Sequence, residues 1–205
     1  MFLNHTTAFT AYQPIATAPR ALPRAPHRAA FAAGTMIDTD TGWRPVEVLS
    51  AGDLVQSFDG GLAPLMNVSR QDAAPSARWH VPAGAIGNCS DFELTEGQLV
   101  GFRGRMAQRL FGVPLVLAPA AALGGYRGIA RSVAPANPLQ VALAFAAEEI
   151  AMAQTGTLLH VPGHDGARHL RRLSYGETRS LLKLTDPRHC GPDLAMQPAF
   201  GPAAA

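Results

Sequence analysis

Cysteine is nearly missing from this 205-residue chain, and two residues, Cys89 and Cys190, do not make a disulfide framework. Charge is scarce as well, at 16% of residues, and the net balance of +2 is too small to mark polyanion binding by itself. No apolar stretch approaches about 18 residues free of charge, proline and glycine, so no membrane-spanning helix is expected. The first residues lack a basic segment followed by an apolar one, so no secretory signal is expected and the chain is placed in the cytoplasm. Also missing are a glycine-rich phosphate loop, a Walker-type lysine motif, a CxxC pair and any internal repeat. Nucleotide-dependent and dithiol chemistry therefore have no sequence footing.

What the chain has is apolar matter: 47% hydrophobic residues, enough for one substantial core. Residues 1–29 differ from the rest. They hold Pro14, Pro19, Pro23 and Pro26 with Arg20, Arg24 and Arg28 and no acid, which reads as a flexible arm in which only Phe9–Ile15 suggests a strand. From Phe31 onward, short alternating runs at 35–38, 44–49 and 53–58 are separated by turn signals at Gly42, Gly52-Asp53 and Gly60-Gly61. After a polar loop at 70–77, residues 79–82 and 92–102 continue that pattern. Residues 105–112 predict a short helix closed by Gly112, and 115–123 a strand followed by a helical turn. Residues 139–153 are in conflict: their alanines and paired glutamates favour helix, whereas Val141-Ala142-Leu143-Ala144-Phe145 alternates as a strand does. Residues 174–184 predict an amphipathic helix, and from 186 the tail is expected to fray. The fold class expected is all-β, with one or two short helices.

The segment Ala30–Asp59, AFAAGTMIDTDTGWRPVEVLSAGDLVQSFD, resembles the opening of a bacterial Hint (Hedgehog/intein) domain. The similarity rests on Phe31, Gly34, Thr35, Ile37, Thr39, Gly42, Arg44-Pro45-Val46-Glu47, Leu49, Gly52-Asp53 and Val55. Val81–Asn88, Leu110-Phe111-Gly112 and Val116–Ala120 are similar to later segments of the alphaproteobacterial-type branch, in the same order. The resemblance implies a compact, horseshoe-like β fold over residues 30–163. Residues 1–29 are then an arm, and 164–205 a basic extension with six Arg or Lys against three acids over 164–190.

The resemblance also implies where self-cleavage chemistry would sit. Hint processing starts when a Cys or Ser attacks the carbonyl just before it, turning a peptide into a thioester or ester. The residue at that position is Ala30, whose methyl group has no lone pair, and neither Cys nor Ser occurs before Ser50. The second family block carries Thr or Ser followed by His three residues on; here Thr95 stands with Gln98 in the histidine position. A glutamine amide donates a hydrogen bond but exchanges no proton near neutral pH, and a positioned general acid is worth roughly 10²–10⁴ in rate. The last block, which carries histidines in the family, reads Ala142 and Glu148. Three vacancies point to lost activity rather than to one altered residue, so no catalytic position is intact.

His160, His164, Asp165 and His169, with His189-Cys190 further on, are the remaining candidates for chemistry. Val161-Pro162-Gly163 interrupts any helix between the first two, so they read as polar loop residues, and no metal or cofactor is expected. The functional expectation is a non-catalytic binding or scaffold module with an unidentified protein partner and unknown oligomeric state. The alternatives are self-cleavage near residue 30 through another group such as Thr95 or Cys89, and contact with an acidic partner or nucleic acid through Arg168, Arg171, Arg172, Arg179 and Lys183. Few aromatics interleave those basic residues, which disfavours nucleic acid.

Overall fold

A computed structural model describes residues 29–59, 61–72, 77–133 and 138–186. The Phe9–Ile15 segment, the tail beyond Asp186 and Cys190 lie outside the described residues. The strands in chain order are β1 (Phe31–Ala32), β2 (Met36–Thr39), β3 (Gly42–Pro45), β4 (Leu54–Ser57), β5 (Gly61–Pro64), β6 (Asn67–Asp72) and β7 (Ala77–Val81). They continue as β8 (Phe92–Thr95), β9 (Leu99–Arg103), β10 (Leu115–Pro119), β11 (Ala130–Val133), β12 (Leu139–Ala144), β13 (Glu149–Ala153) and β14 (Thr157–Val161). Two α-helices accompany them, α1 (Arg105–Phe111) and α2 (Tyr175–Thr185), with 3-10 turns at Val46–Val48 and Ala120–Leu123.

The strands form three antiparallel sheets. The largest runs β10-β9-β14-β13-β2-β4-β5, with β3 on the outer side of β2. A second joins β1, β12 and β6, and a third β11, β7 and β8. The architecture is the mainly-β one expected from the alternating runs. Its main core gathers Phe31, Ile37, Val46, Leu49, Val100, Leu143, Phe145 and Leu159 from all parts of the chain. A smaller cluster of Leu115, Leu117, Ile150 and Leu158 packs separately.

The conflict over 139–153 resolves as two strands. In β12, Val141 and Leu143 turn inward while Gln140 and Ala142 are half-buried, and β13 buries Ile150, Ala151 and Ala153. Period-2 burial against neighbours on both sides outweighs the helical propensity of alanine, which is worth only a few tenths of a kcal/mol per residue, about 0.7 at most.

Two expectations are corrected. Residues 44–49 are not one strand: β3 ends at Pro45, and Val46–Val48 form a 3-10 turn. Three residues per turn put Val46 and Leu49 on one buried face and leave Val48 49% exposed, whereas a strand would have buried 46 and 48 together. Residues 70–72, expected within a polar loop over 70–77, belong to β6. Those residues are polar because β6 is a sheet edge with an exposed face, and its register with β12 runs Leu139↔Asp72 to Ala144↔Asn67. Pro45 sits at the end of β3, which pairs with β2 alone, so its missing N–H costs no ladder bond.

The helices follow their signals. α1 stops at Gly112, which takes the left-handed conformation at φ 75°. The helix expected at 174–184 is observed as α2; Ser174 caps it, accepting from the Glu177 amide while the Glu177 carboxylate accepts from the Ser174 amide. Thr178, Leu181, Leu182 and Thr185 repeat at helical spacing and are buried, and Leu173, Leu181 and Leu182 join the main core. Among the described residues no helix is long and apolar enough to cross a membrane.

Candidate functional site

Two of the family-aligned positions, Ala30 and Thr95, meet where the described residues begin. Ala29 and Ala30 are both buried, and Ala30 directly precedes β1. β1 pairs with β12 through Phe31↔Val141 and Ala32↔Gln140, and Ala142 of β12 lines the same cleft as Ala29. Thr95, the last residue of β8, reaches Ala30: its hydroxyl donates to the Ala30 carbonyl at 2.6 Å, with Thr95 4% exposed. This bond lies one peptide downstream of the Ala29 carbonyl that a nucleophile at position 30 would attack.

Gln98 does not share that contact. A tight turn, closed by the Gln98 amide donating to the Thr95 carbonyl, carries it from β8 towards β9. Its side-chain amide donates to the His160 carbonyl at 3.0 Å and to the Leu99 carbonyl at 3.3 Å, and Gln98 is 1% exposed. Gln98 therefore fastens β14 to the β8–β9 turn. Thr35 and Thr39 are likewise structural: their hydroxyls donate to the Ala32 and Gly42 carbonyls.

Glu148, at the turn between β12 and β13, centres a network the sequence did not disclose. Oε1 accepts from Arg172 Nη2 at 2.6 Å and faces His160 Nε2 at 2.8 Å. Oε2 accepts from the backbone amides of His169 at 2.5 Å and Leu170 at 2.9 Å. The side chain is fully enclosed. Burial alone would push this carboxyl up; the Leu170 amide, Arg172, the His169 amide and His160 together outweigh it and hold the group at about 2. His160 is displaced downward, first by burial, against the opposing pull of Glu148, so its neutral form is favoured. With Nε2 turned to Glu148, Nδ1 is buried without a partner.

This corrects the reading of His160 as a polar loop residue. Thr157-Leu158-Leu159-His160-Val161 is a strand buried along its whole length. A single histidine inside that apolar run was the available signal. Arg172 carried none, because it is placed by tertiary structure: the Leu117 amide donates to the Arg171 carbonyl and the Leu173 amide to the Leu117 carbonyl, bridging residue 172 onto β10. His164 and His169 do not join His160 in a ligand set; among the described residues no three His, Cys, Asp or Glu side chains could hold a metal ion. Cys89 is an exposed free thiol.

The five basic residues proposed for acidic partners are partly engaged internally. Arg171 pairs with Glu177 and lies over the Phe111 ring, Arg172 is tied to Glu148, and Arg179 donates to the Ala122 and Gly124 carbonyls.

Ala29, Ala142, Glu148, His160 and Arg172 all line one open cleft of about 470 Å³, together with Asn67 and Ser69 of β6 and the 163–168 loop. Self-cleavage at residue 30 needs an electron-pair donor at the junction; the side chain there is a methyl group, and the carboxylate and imidazole in the cleft are bonded to each other.

The family model described as Hint domain matches residues 29–158. Among solved structures, the chain is similar to a bacterial intein-like domain from Clostridium thermocellum, at 18% identity over 64% of this chain and 97% of that one, with a TM-score of 0.46. It is also similar to the gp41-1 intein, at 12% identity over 64% and 97% with a TM-score of 0.40. The MchDnaB-1 intein gives 15% identity over 64% and 99%, with a TM-score of 0.37. No curated protein matches the chain.

Proposed function

We propose, from the premise that this chain belongs to the Hint domain family, that it keeps the family's β architecture without the self-cleavage chemistry and acts as a non-catalytic binding module. The observation that carries this is the pairing of Ala30 with Thr95. The side chain at the junction offers no nucleophile, and the Thr95 hydroxyl beside it is already donating to the Ala30 carbonyl. Gln98 supports the reading, since its amide holds the His160 carbonyl and has no ionisable proton for a leaving nitrogen. Ala142, which lines the same cleft as Ala29, contributes a methyl group and no protic side chain. Glu148 and His160 remain as polar groups, bonded to each other and enclosed, and serve to shape the cleft wall.

The test is a time course of the purified full chain, with and without added thiol, resolved by denaturing electrophoresis. A single species near 21.6 kDa is expected throughout. A fragment arising by cleavage beside Ala30 overturns the reading and favours an autoproteolytic domain.

A further inference from the structure

The wall of the cleft carries more positive charge than it neutralises. Arg168 and Arg172 face a single carboxylate, Glu148, and that carboxylate is fully enclosed and already holds four donors. Arg168 is exposed and makes no hydrogen bond or ion pair among the described residues. Arg172 gives Nη2 to Glu148 and keeps Nε buried with no partner. His160, 3% exposed, lines the same cleft, and its Nδ1 is buried without a partner. The cleft volume, about 470 Å³, lies within the size range of small-molecule sites, roughly 300–1,000 Å³. Leu99 and Ala142, both half-buried, also line the cleft and add hydrocarbon to it, which suits a ligand with an apolar body better than a bare inorganic anion.

We propose that this cleft is a receptor site for a small organic carboxylate, with Arg168 and the unspent face of Arg172 receiving the carboxylate and the β9–β12 side chains receiving the carbon skeleton. This names the ligand class of the binding module inferred above, and so rests on that reading. A planar guanidinium matches a carboxylate edge to edge, and a bond of this charged kind is about twice as strong as a neutral one.

The experiment is titration calorimetry of the full chain at fixed ionic strength with acetate, succinate and citrate, and with sulfate and succinamide as comparisons. At least one carboxylate is expected to bind with one-to-one stoichiometry, and more tightly than sulfate, while succinamide gives no heat. Arg168→Gln is expected to weaken that binding about tenfold or more, and Arg168→Glu to abolish it. Because Arg168 has no internal bond, both variants should unfold at the same midpoint as the parent without ligand, which separates lost binding from lost folding. The proposal is overturned if no carboxylate binds, if succinamide or sulfate binds equally well, or if either Arg168 variant binds as the parent does. Intact mass measured on the same samples reports separately on self-cleavage, so failure of the non-catalytic reading and failure of the ligand assignment are told apart.

Discussion

Replacing Glu148 by Gln tests the network that shapes the cleft. The carboxylate accepts four hydrogen bonds, two from backbone amides on Oε2 and two from side chains on Oε1. A glutamine keeps its oxygen on the two amides, and its NH₂ then faces the Arg172 guanidinium, donor against donor. Holding the carboxyl at about 2 rather than 4.5 corresponds to about 3 kcal/mol at 1.36 kcal/mol per unit. The cost of breaking a buried pair, about 3–5 kcal/mol, agrees at its lower end, as expected with Arg172 30% exposed. At about 2–4 °C per kcal/mol, Glu148→Gln should melt roughly 6–12 °C below the parent at neutral pH. The folded pKa is depressed, so this stabilisation is complete above 4.5 and is lost as pH falls towards 2; about 2 kcal/mol of it is gone at pH 3. Urea unfolding of parent and variant at pH 7 and pH 3 measures both quantities. A difference below about 0.5 kcal/mol at pH 7, or a gap that does not narrow in acid, refutes the reasoning.

Three further outcomes follow from contacts described above. Thr95→Val keeps the shape but leaves the Ala30 carbonyl without its donor, and should lose about 1–3 kcal/mol in chemical denaturation; an unchanged midpoint means the 2.6 Å bond is not formed in solution. Gly156→Ala should prevent stable folding, because a Cβ there would stand 1.9 Å from the Gly87 carbonyl oxygen, and a normally folded, soluble variant contradicts that approach. The His160 ring, held neutral chiefly by burial, should show imidazole NMR shifts that titrate only below the usual histidine range; a midpoint at or above 6.5 argues against its enclosure.

Much of the framework was legible because turns and alternation are local. Gly42 and Gly52 both take positive φ at the turn signals that precede β3 and β4, and Gly112 closes α1 by the same freedom. The amphipathic pattern of residues 174–184 announced α2. Segment 139–153 was not decidable locally, since its strands are chosen by partners as distant as β6 and β14. The cleft was legible only in part. Ala30, Thr95, Gln98, Ala142 and Glu148 could be named from motif order, and the fold brings Thr95 to Ala30 and places Ala142 and Glu148 in one cleft with Ala29, while Gln98 turns to β14. The Glu148–His160–Arg172 cluster joins residues 12 and 24 positions apart through sheet registry and a loop pinned to β10, for which no sequence pattern exists.

Hydroxylamine trapping bears most directly on the central claim. It cuts esters and thioesters within a chain while sparing amides, so it captures any acyl shift at the junction. Intact-mass measurement of the parent chain after prolonged exposure should return the full-length mass alone. A product ending in a hydroxamate at Ala29 would show that an electron-pair donor does act there, and would contradict the account.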